Sequence, residues 1–325
     1  MEKEEPRENK KVTFKSVFGV LKTTVQGFMD DGVTRLSAAL AYATLFAIVP
    51  FFSLLITIGT FFDMNFANRF YSQLVPVVGE DVVEQIQTIV QNAYSGSGST
   101  IATLVSAGIM IFGATAIFAQ MQWSLNTIWG IKPKPKKGWV KMITNRLLSF
   151  SLILVFGFIL LITFSLTALI QGFSDNLSAY YPDITVFLFS AIGMIINIVI
   201  TTLVFVLIFK VLPDAKIKFK DVTVGAVVTT LLFLLGQYGI SIYLARNNTT
   251  SVYGAAAFVL ILLTWIYYTS IIIYIGAEFT KAWANEMGGK IYPDEYAVST
   301  RIVEVQDDGP VEAVNKTEID KSADT

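Results

Sequence analysis

The run LLSFSLILVFGFILLITFSLTALIQGF, Leu147 to Phe173, holds 27 residues without one Asp, Glu, Lys or Arg. A helix rises about 1.5 Å per residue, so about 20 such residues cross the roughly 30 Å hydrocarbon core of a bilayer. The run is continuously apolar and lacks the alternation of a strand with one wet face, so it reads as a transmembrane helix and not as a barrel strand. Five other charge-free stretches read the same way: Leu36 to Phe62, Ile101 to Phe118, Ile184 to Phe209, Val222 to Leu244 and Val252 to Ala277. The expected fold is an all-α polytopic membrane protein with six transmembrane helices. Composition agrees, since 54% of the 325 residues are hydrophobic and only 15% are charged, far from the usage of a soluble domain.

The placement of charge sets the expected orientation. Twenty-two of the 24 Lys and Arg residues fall in alternate connecting segments and two in the others, so the rich side is predicted to be cytoplasmic, with both termini on it. Four of the five tryptophans, Trp123, Trp129, Trp139 and Trp283, fall near that face, where an amphipathic ring is favourably placed. The loop carrying Lys132, Lys134, Lys136, Lys137, Lys141 and Arg146 contains no acid. It is expected to rest against anionic headgroups; its plainer reading is a topology determinant with no ligand. Lys plus Arg nearly balance the 25 Asp plus Glu, so net charge predicts no nucleic-acid partner.

Three regions follow. Residues 1–35 form a cytoplasmic segment in which Phe14, Val17, Phe18, Leu21, Val25 and Phe28 recur at steps of three and four, the pattern of an amphipathic helix lying on the inner leaflet. Residues 36–284 form the membrane domain. Its external segment, 63–100, includes a helix with Val82, Val83, Ile86, Ile89 and Val90 on one face, followed by a Ser95 to Ser99 hinge, and that helix is expected to cap the bundle. Residues 285–325 lose apolar density and gather acids, which predicts a disordered tail able to engage protein partners.

Chemistry-bearing groups are few. With no Cys and no His there is no thiolate site, and the usual general base and commonest metal ligand are missing. Walker and dinucleotide glycine signatures are also lacking. The expectation is no metal, no cofactor, no catalytic residue and no enzyme activity. Glu278 is the one carboxylate at the edge of a span. It reads as a boundary group met by headgroup water or by Lys281, with a proton or cation site as the second reading. Asn197 and Gln237 lie inside spans four and five, where unsatisfied amides are costly, so they should face protein or a wet cavity, as interhelical glue or as substrate contacts. Pro50 leaves the Phe46 carbonyl without its helical partner and predicts a kink. Below it Ala39, Ala43 and Ala47 offer a small-residue stripe for close helix approach. Together with Tyr42 and Tyr267, the amides, Pro50 and Glu278 make up the expected substrate path.

The run Leu36 to Pro50, LSAALAYATLFAIVP, resembles the first-span signature of the YihY/BrkB family, whose older descriptions carry a ribonuclease label. Leu125 to Gly130, Leu212-Pro213-Asp214, Asp221 to Ala226, Tyr253 to Ala256, Trp265 to Tyr267 and Gly276 to Glu278 are similar to its later elements. The pattern is kept at Tyr42, Pro50, Asn126, Trp129, Tyr253, Gly254, Trp265, Gly276 and Glu278. The resemblance implies a six-span protein of the bacterial plasma (inner) membrane, sometimes associated with serum resistance or with moving lipidic molecules. The leading expectation is a transporter-like protein for an amphipathic or lipid-linked substrate of the cell envelope; the alternative is a non-transporting scaffold or envelope-integrity factor. The ribonuclease label conflicts with the missing chemistry.

Overall fold

The computed structural model describes residues 13–78, 80–94, 100–134, 138–178, 182–246, 255–287 and 289–300. Among them are nine α-helices: α1 (Phe14–Asp30), α2 (Val33–Phe62), α3 (Phe66–Val78), α4 (Glu80–Tyr94), α5 (Thr100–Ile128), α6 (Gly138–Ser178), α7 (Pro182–Val211), α8 (Phe219–Arg246) and α9 (Ala255–Glu286). Four short strands are β1 (Ile131–Pro133), β2 (Ala215–Lys216), β3 (Tyr292–Pro293) and β4 (Ala297–Ser299).

Four helical stretches are long and apolar enough to cross a membrane: Leu147–Thr167, Phe187–Val211, Phe219–Ile240 and Leu262–Glu286. A fifth is the bent α2, whose halves Val33–Ile48 and Pro50–Phe62 meet at 54°. The bend sits where Pro50 has no N–H to donate and its ring crowds the preceding turn. Across from it Gly113 of α5 gives the kink room, since a Cβ there would lie 2.8 Å from Pro50 Cγ. The remaining expected span, Ile101 to Phe118, belongs to α5; the side chains of 101–107, 109 and 110 lie outside the described residues.

At the centre α2 packs along α5 and α9, α9 along α8, and α7 stands between α6 and α8. The α8–α9 seam is reciprocal. Thr280 seats on Gly225 and Thr229 on Gly276, so closely that a Cβ on either glycine would overlap the facing hydroxyl. Each threonine hydroxyl donates to a glycine carbonyl of its own helix, Thr229 to Gly225 and Thr280 to Gly276, both at 2.7 Å. Small residues thus bring two backbones together without leaving a polar atom unpaired.

At the far end of the bundle, α3 and α4 pack Phe66, Phe70, Tyr71, Val83, Ile86 and Val90 on Leu55, Ile56 and Phe164. The expected helix is present as α4, joined by α3, which the sequence reading had no element for. The chain folds back at Asp63, and the Phe66 ring occupies the space that a Cβ on Gly59 would need. Val82 and Ile89 side chains and the Ser95–Ser99 hinge lie outside the described residues.

One expectation is corrected and one extended. The tail does not lose structure at 285: α9 runs to Glu286, and residues 291–300 pair antiparallel with two connecting loops, β4 with β1 and β3 with β2. Lys134 N–H donates to Tyr296 O and Thr300 N–H to Gly130 O, both at 2.7 Å, while Ile291 and Ala297 pack against the core. Average composition hid this, because a ladder needs backbone partners and only a few apolar side chains. Residues 301–325, with most of the tail's acids, lie outside the described residues. Helix α1 also uses a second face. Phe18, Leu21 and Val25 are exposed, while Val20, off that stripe, is buried against Phe279 and Ala282 of α9.

Candidate functional site

Three connecting segments and the post-α9 strands gather at the end where α2 begins and α5 and α9 finish, and this end carries Arg35, Lys132, Lys134, Lys216 and Lys281. Here Asn126, buried at the end of α5, holds Asp214 twice. Its Nδ2 donates to Asp214 Oδ2 and its Oδ1 accepts from Asp214 N–H, both at 2.9 Å. Trp129 Nε1 donates to the Ala277 carbonyl at 3.1 Å, tying α5 to α9. Gly130, with φ of 63°, then turns the chain into β1. These two family-pattern residues therefore join elements distant in sequence, as does Gly276 through its seat for Thr229.

Glu278 does not reach headgroup water. It is 2% exposed, and its carboxyl lies so close under α1 that a Cβ on Gly27 would overlap it. Lys281 Nζ reaches Glu278 Oε2 at 3.4 Å and the Asp31 carboxylate at 2.7 Å. One ammonium thus serves two carboxyls and links α9 to the α1–α2 junction. The expected Lys281 partnership is present, within a buried cluster instead of at a wet boundary.

Beside this cluster opens a cavity of about 900 Å³, lined by Asp30, Asp31, Arg35, Trp123, Asn126, Lys132 and Lys281 among others. A second cavity, of about 290 Å³, is walled almost wholly by apolar groups. It lies between the halves of α2 (Thr44, Ile48, Phe51), α5 (Ile117, Phe118, Met121), Phe156, Ile208 and α9 (Leu262, Trp265, Ile266), with Leu74 and Ile86 from α3 and α4. Their volumes lie near the span of small-ligand pockets, about 300–1,000 Å³. The cavities share α2, α5 and α9. At 1.5 Å per residue they are separated by roughly 3 Å along α5, from Met121 to Trp123, and by roughly 22 Å along α9, from Ile266 to Lys281. Between them lies a packed layer that includes Leu36, Ser37, Leu40, Ser124, Leu125, Tyr274 and Ala277, all buried.

The expected path residues distribute as follows. Pro50 makes the kink beside the apolar cavity. Tyr42 is 66% exposed, its ring 4.8 Å from that of Phe46, and lines neither cavity. Asn197 is exposed on α7, where its Oδ1 accepts from Thr201 at 3.2 Å; it is not enclosed by neighbouring helices as expected. It does share a helical face with Ile208, roughly three turns on, which lines the apolar cavity. Gln237 and Tyr267 are half-buried. Tyr268 seats on Gly236 and donates to Leu232 O at 3.2 Å, which sets the two helices so that Gln237 and Tyr267 share one level. The 3.0 Å bond between Thr202 and Thr230 brings Asn197 to nearly the same level. Trp265 lines the apolar cavity. Lys132 and Lys134 are exposed; Lys136, Lys137, Tyr253, Gly254 and the Lys141 side chain lie outside the described residues.

Several residues of this site were not singled out from the sequence. Arg35 and Asp31 looked like flanking charges until the fold placed them on one cavity. Gly225-xxx-Thr229 and Gly276-xxx-Thr280 did carry a signal, small residues four apart on two apolar helices.

Residues 24–297 match the model of the family described as Virulence factor BrkB. Among similar proteins, a UPF0761 membrane protein of Alcanivorax borkumensis is 28% identical over 291 residues, covering 87% of this chain and 64% of its own length. A UPF0761 membrane protein of Idiomarina loihiensis is 27% identical over 286 residues, covering 83% of this chain and 94% of its own length. One from Vibrio vulnificus is 28% identical over 259 residues, covering 78% of each chain. The chain thus spans just under two thirds of the first relative and nearly all of the second. No solved structure matches.

Proposed function

The chain belongs to the BrkB family of membrane proteins, and we propose that it is a six-span, transporter-like protein that passes an amphipathic, lipid-linked substrate across or along the plasma membrane. In this reading the basic end and both termini face the cytoplasm, α5 is the remaining span, and residues 36–284 form one membrane domain. The observation that carries the reading is the pair of stacked cavities, one apolar and one charged, on the same three helices. An amphiphile needs both environments at once, and the kinked α2 lies along both. Asn197, Gln237 and Tyr267 supply modest polarity at one level of the bundle, suited to a headgroup in transit.

The test is movement of a fluorescent phospholipid between leaflets of liposomes containing the purified protein. Ile117→Trp, which fills the apolar cavity, is expected to slow movement about tenfold or more, while Leu235→Trp on the exposed face of α8 leaves it unchanged. Equal rates with and without protein would remove the transport reading. For topology, a cysteine introduced at Gln171 is expected to react with an impermeant reagent from the external side; reaction from the cytosol would reverse the orientation.

A scaffold role is the second reading, favoured by the pairing of residues 291–300 with both basic-end loops, which launches the rest of the tail from a fixed point. Removal of 301–325 alone, leaving the strands in place, abolishes the phenotype of a scaffold and spares that of a transporter.

A further inference from the structure

We infer that the cavity at the basic end binds the phosphate-bearing headgroup of a membrane amphiphile, with Arg35 and Lys132 meeting the phosphate. This assigns a ligand class to the charged half of the path proposed above and rests on that reading for its orientation.

The argument is one of residual charge. Five ionisable side chains line the cavity: Asp30, Asp31, Arg35, Lys132 and Lys281. Lys281 and Asp31 engage each other at 2.7 Å, and Lys281 also reaches Glu278 at 3.4 Å, so their charges are already partnered within the cluster. That leaves Arg35 and Lys132 facing Asp30, and none of the three has an ion pair among the described residues. The five lining side chains, three cations and two carboxylates, sum to one positive charge. Its two cations come from different elements, Arg35 from the first turn of α2 and Lys132 from β1. A planar carboxylate is satisfied by one guanidinium fork, whereas a tetrahedral phosphate turns oxygens toward cations on separate walls. Asp30 suits an ammonium or hydroxyl on the same headgroup.

The walls favour a membrane amphiphile over a free ion. Trp123, 57% exposed, lines the cavity beside Trp129, and such rings settle at the headgroup level of a bilayer. A headgroup there lies on the same helices as the apolar cavity, which begins at Met121, two residues before Trp123 along α5 and across the packed layer. A free phosphate would need neither the volume of about 900 Å³ nor the apolar cavity.

The experiment uses the full chain in nanodiscs of uncharged lipid and follows tryptophan emission on titration with glycerophosphoglycerol, glycerol, acetate or inorganic phosphate. Glycerophosphoglycerol is expected to shift emission saturably, and Trp123→Phe to remove most of the signal. Arg35→Gln and Lys132→Gln are each expected to weaken binding about tenfold or more, the scale of a lost charge-assisted bond. Lys132 is exposed, so Lys132→Gln remains informative if Arg35→Gln does not fold. Acetate or glycerol acting as well as glycerophosphoglycerol, or both charge variants binding normally, overturns the inference. Inorganic phosphate acting equally well overturns the headgroup assignment. If soluble headgroups bind but no lipid moves between leaflets, transport fails and the site stands; if lipid moves and no headgroup binds, the site fails and transport stands.

Discussion

At the basic end, helices far apart in sequence are joined by directional bonds from Asn126, Trp129 and Lys281 and by two small ladders, whereas at the far end α3 and α4 rest on α2 and α6 through Phe66, Phe70, Ile86 and Val90. Directional bonds between buried groups specify one arrangement, since leaving a partner unpaired is costly. Apolar packing gives comparable stability with less orientation, and the far end adds to it only a part-exposed ion pair, Arg69 to Asp63 at 3.4 Å, among the contacts of α3 with α2. The difference is that the basic end holds the bundle by directional bonds, while the far end, with the Pro50 kink, is held mainly by apolar contact.

Substitutions can separate these two regions. The largest effect is expected from Asn126→Leu, which removes both bonds to buried Asp214 and should cost about 3 kcal/mol or more. Unfolding of purified protein in a detergent and SDS series measures it, and a loss below about 1 kcal/mol would deny the basic end its fixing role. Next, Gly225→Ala should cost about 1–3 kcal/mol by overpacking against Thr280. Thr280→Ala in the same chain should recover part of that loss, a coupling that only direct contact produces. Trp129→Phe, which deletes one bond to the Ala277 carbonyl, should cost about 1 kcal/mol. The smallest effect belongs to the far end: Ile86→Val should cost about 0.5–1.5 kcal/mol. Hydrogen exchange should then rise in α3 and α4 without rising near Asn126, and an equal rise at both ends would merge the regions into one cooperative unit.

The sequence made the two ends legible to different degrees. Helices came from uninterrupted apolar runs, because hydrocarbon leaves backbone groups no partner outside the helix, and Pro50 predicted the bend of α2 by a local rule. The basic end was legible only as charge. Nothing in the residues around Tyr292 or Ala297 distinguishes a strand from a tail until the loops at Ile131 and Ala215 are brought beside them. Glu278 shows the same limit: its position at the edge of a span suggested water, while its burial depends on Gly27, about 250 residues earlier, making space for it. Asn197 was expected to be enclosed on the ground that amides avoid lipid. Its exposure on α7 reflects the inward face of that helix being covered at Ile208 and open three turns away.

The occupancy of the apolar cavity tests the account most directly. A phospholipid bearing a photoactivatable group in its acyl chain, crosslinked to the reconstituted protein and mapped by mass spectrometry, should attach mainly at Ile117, Phe156 and Trp265, in preference to the exposed Leu235 of α8. Attachment spread evenly over the outward faces of α7 and α8, with none at the cavity residues, would contradict it.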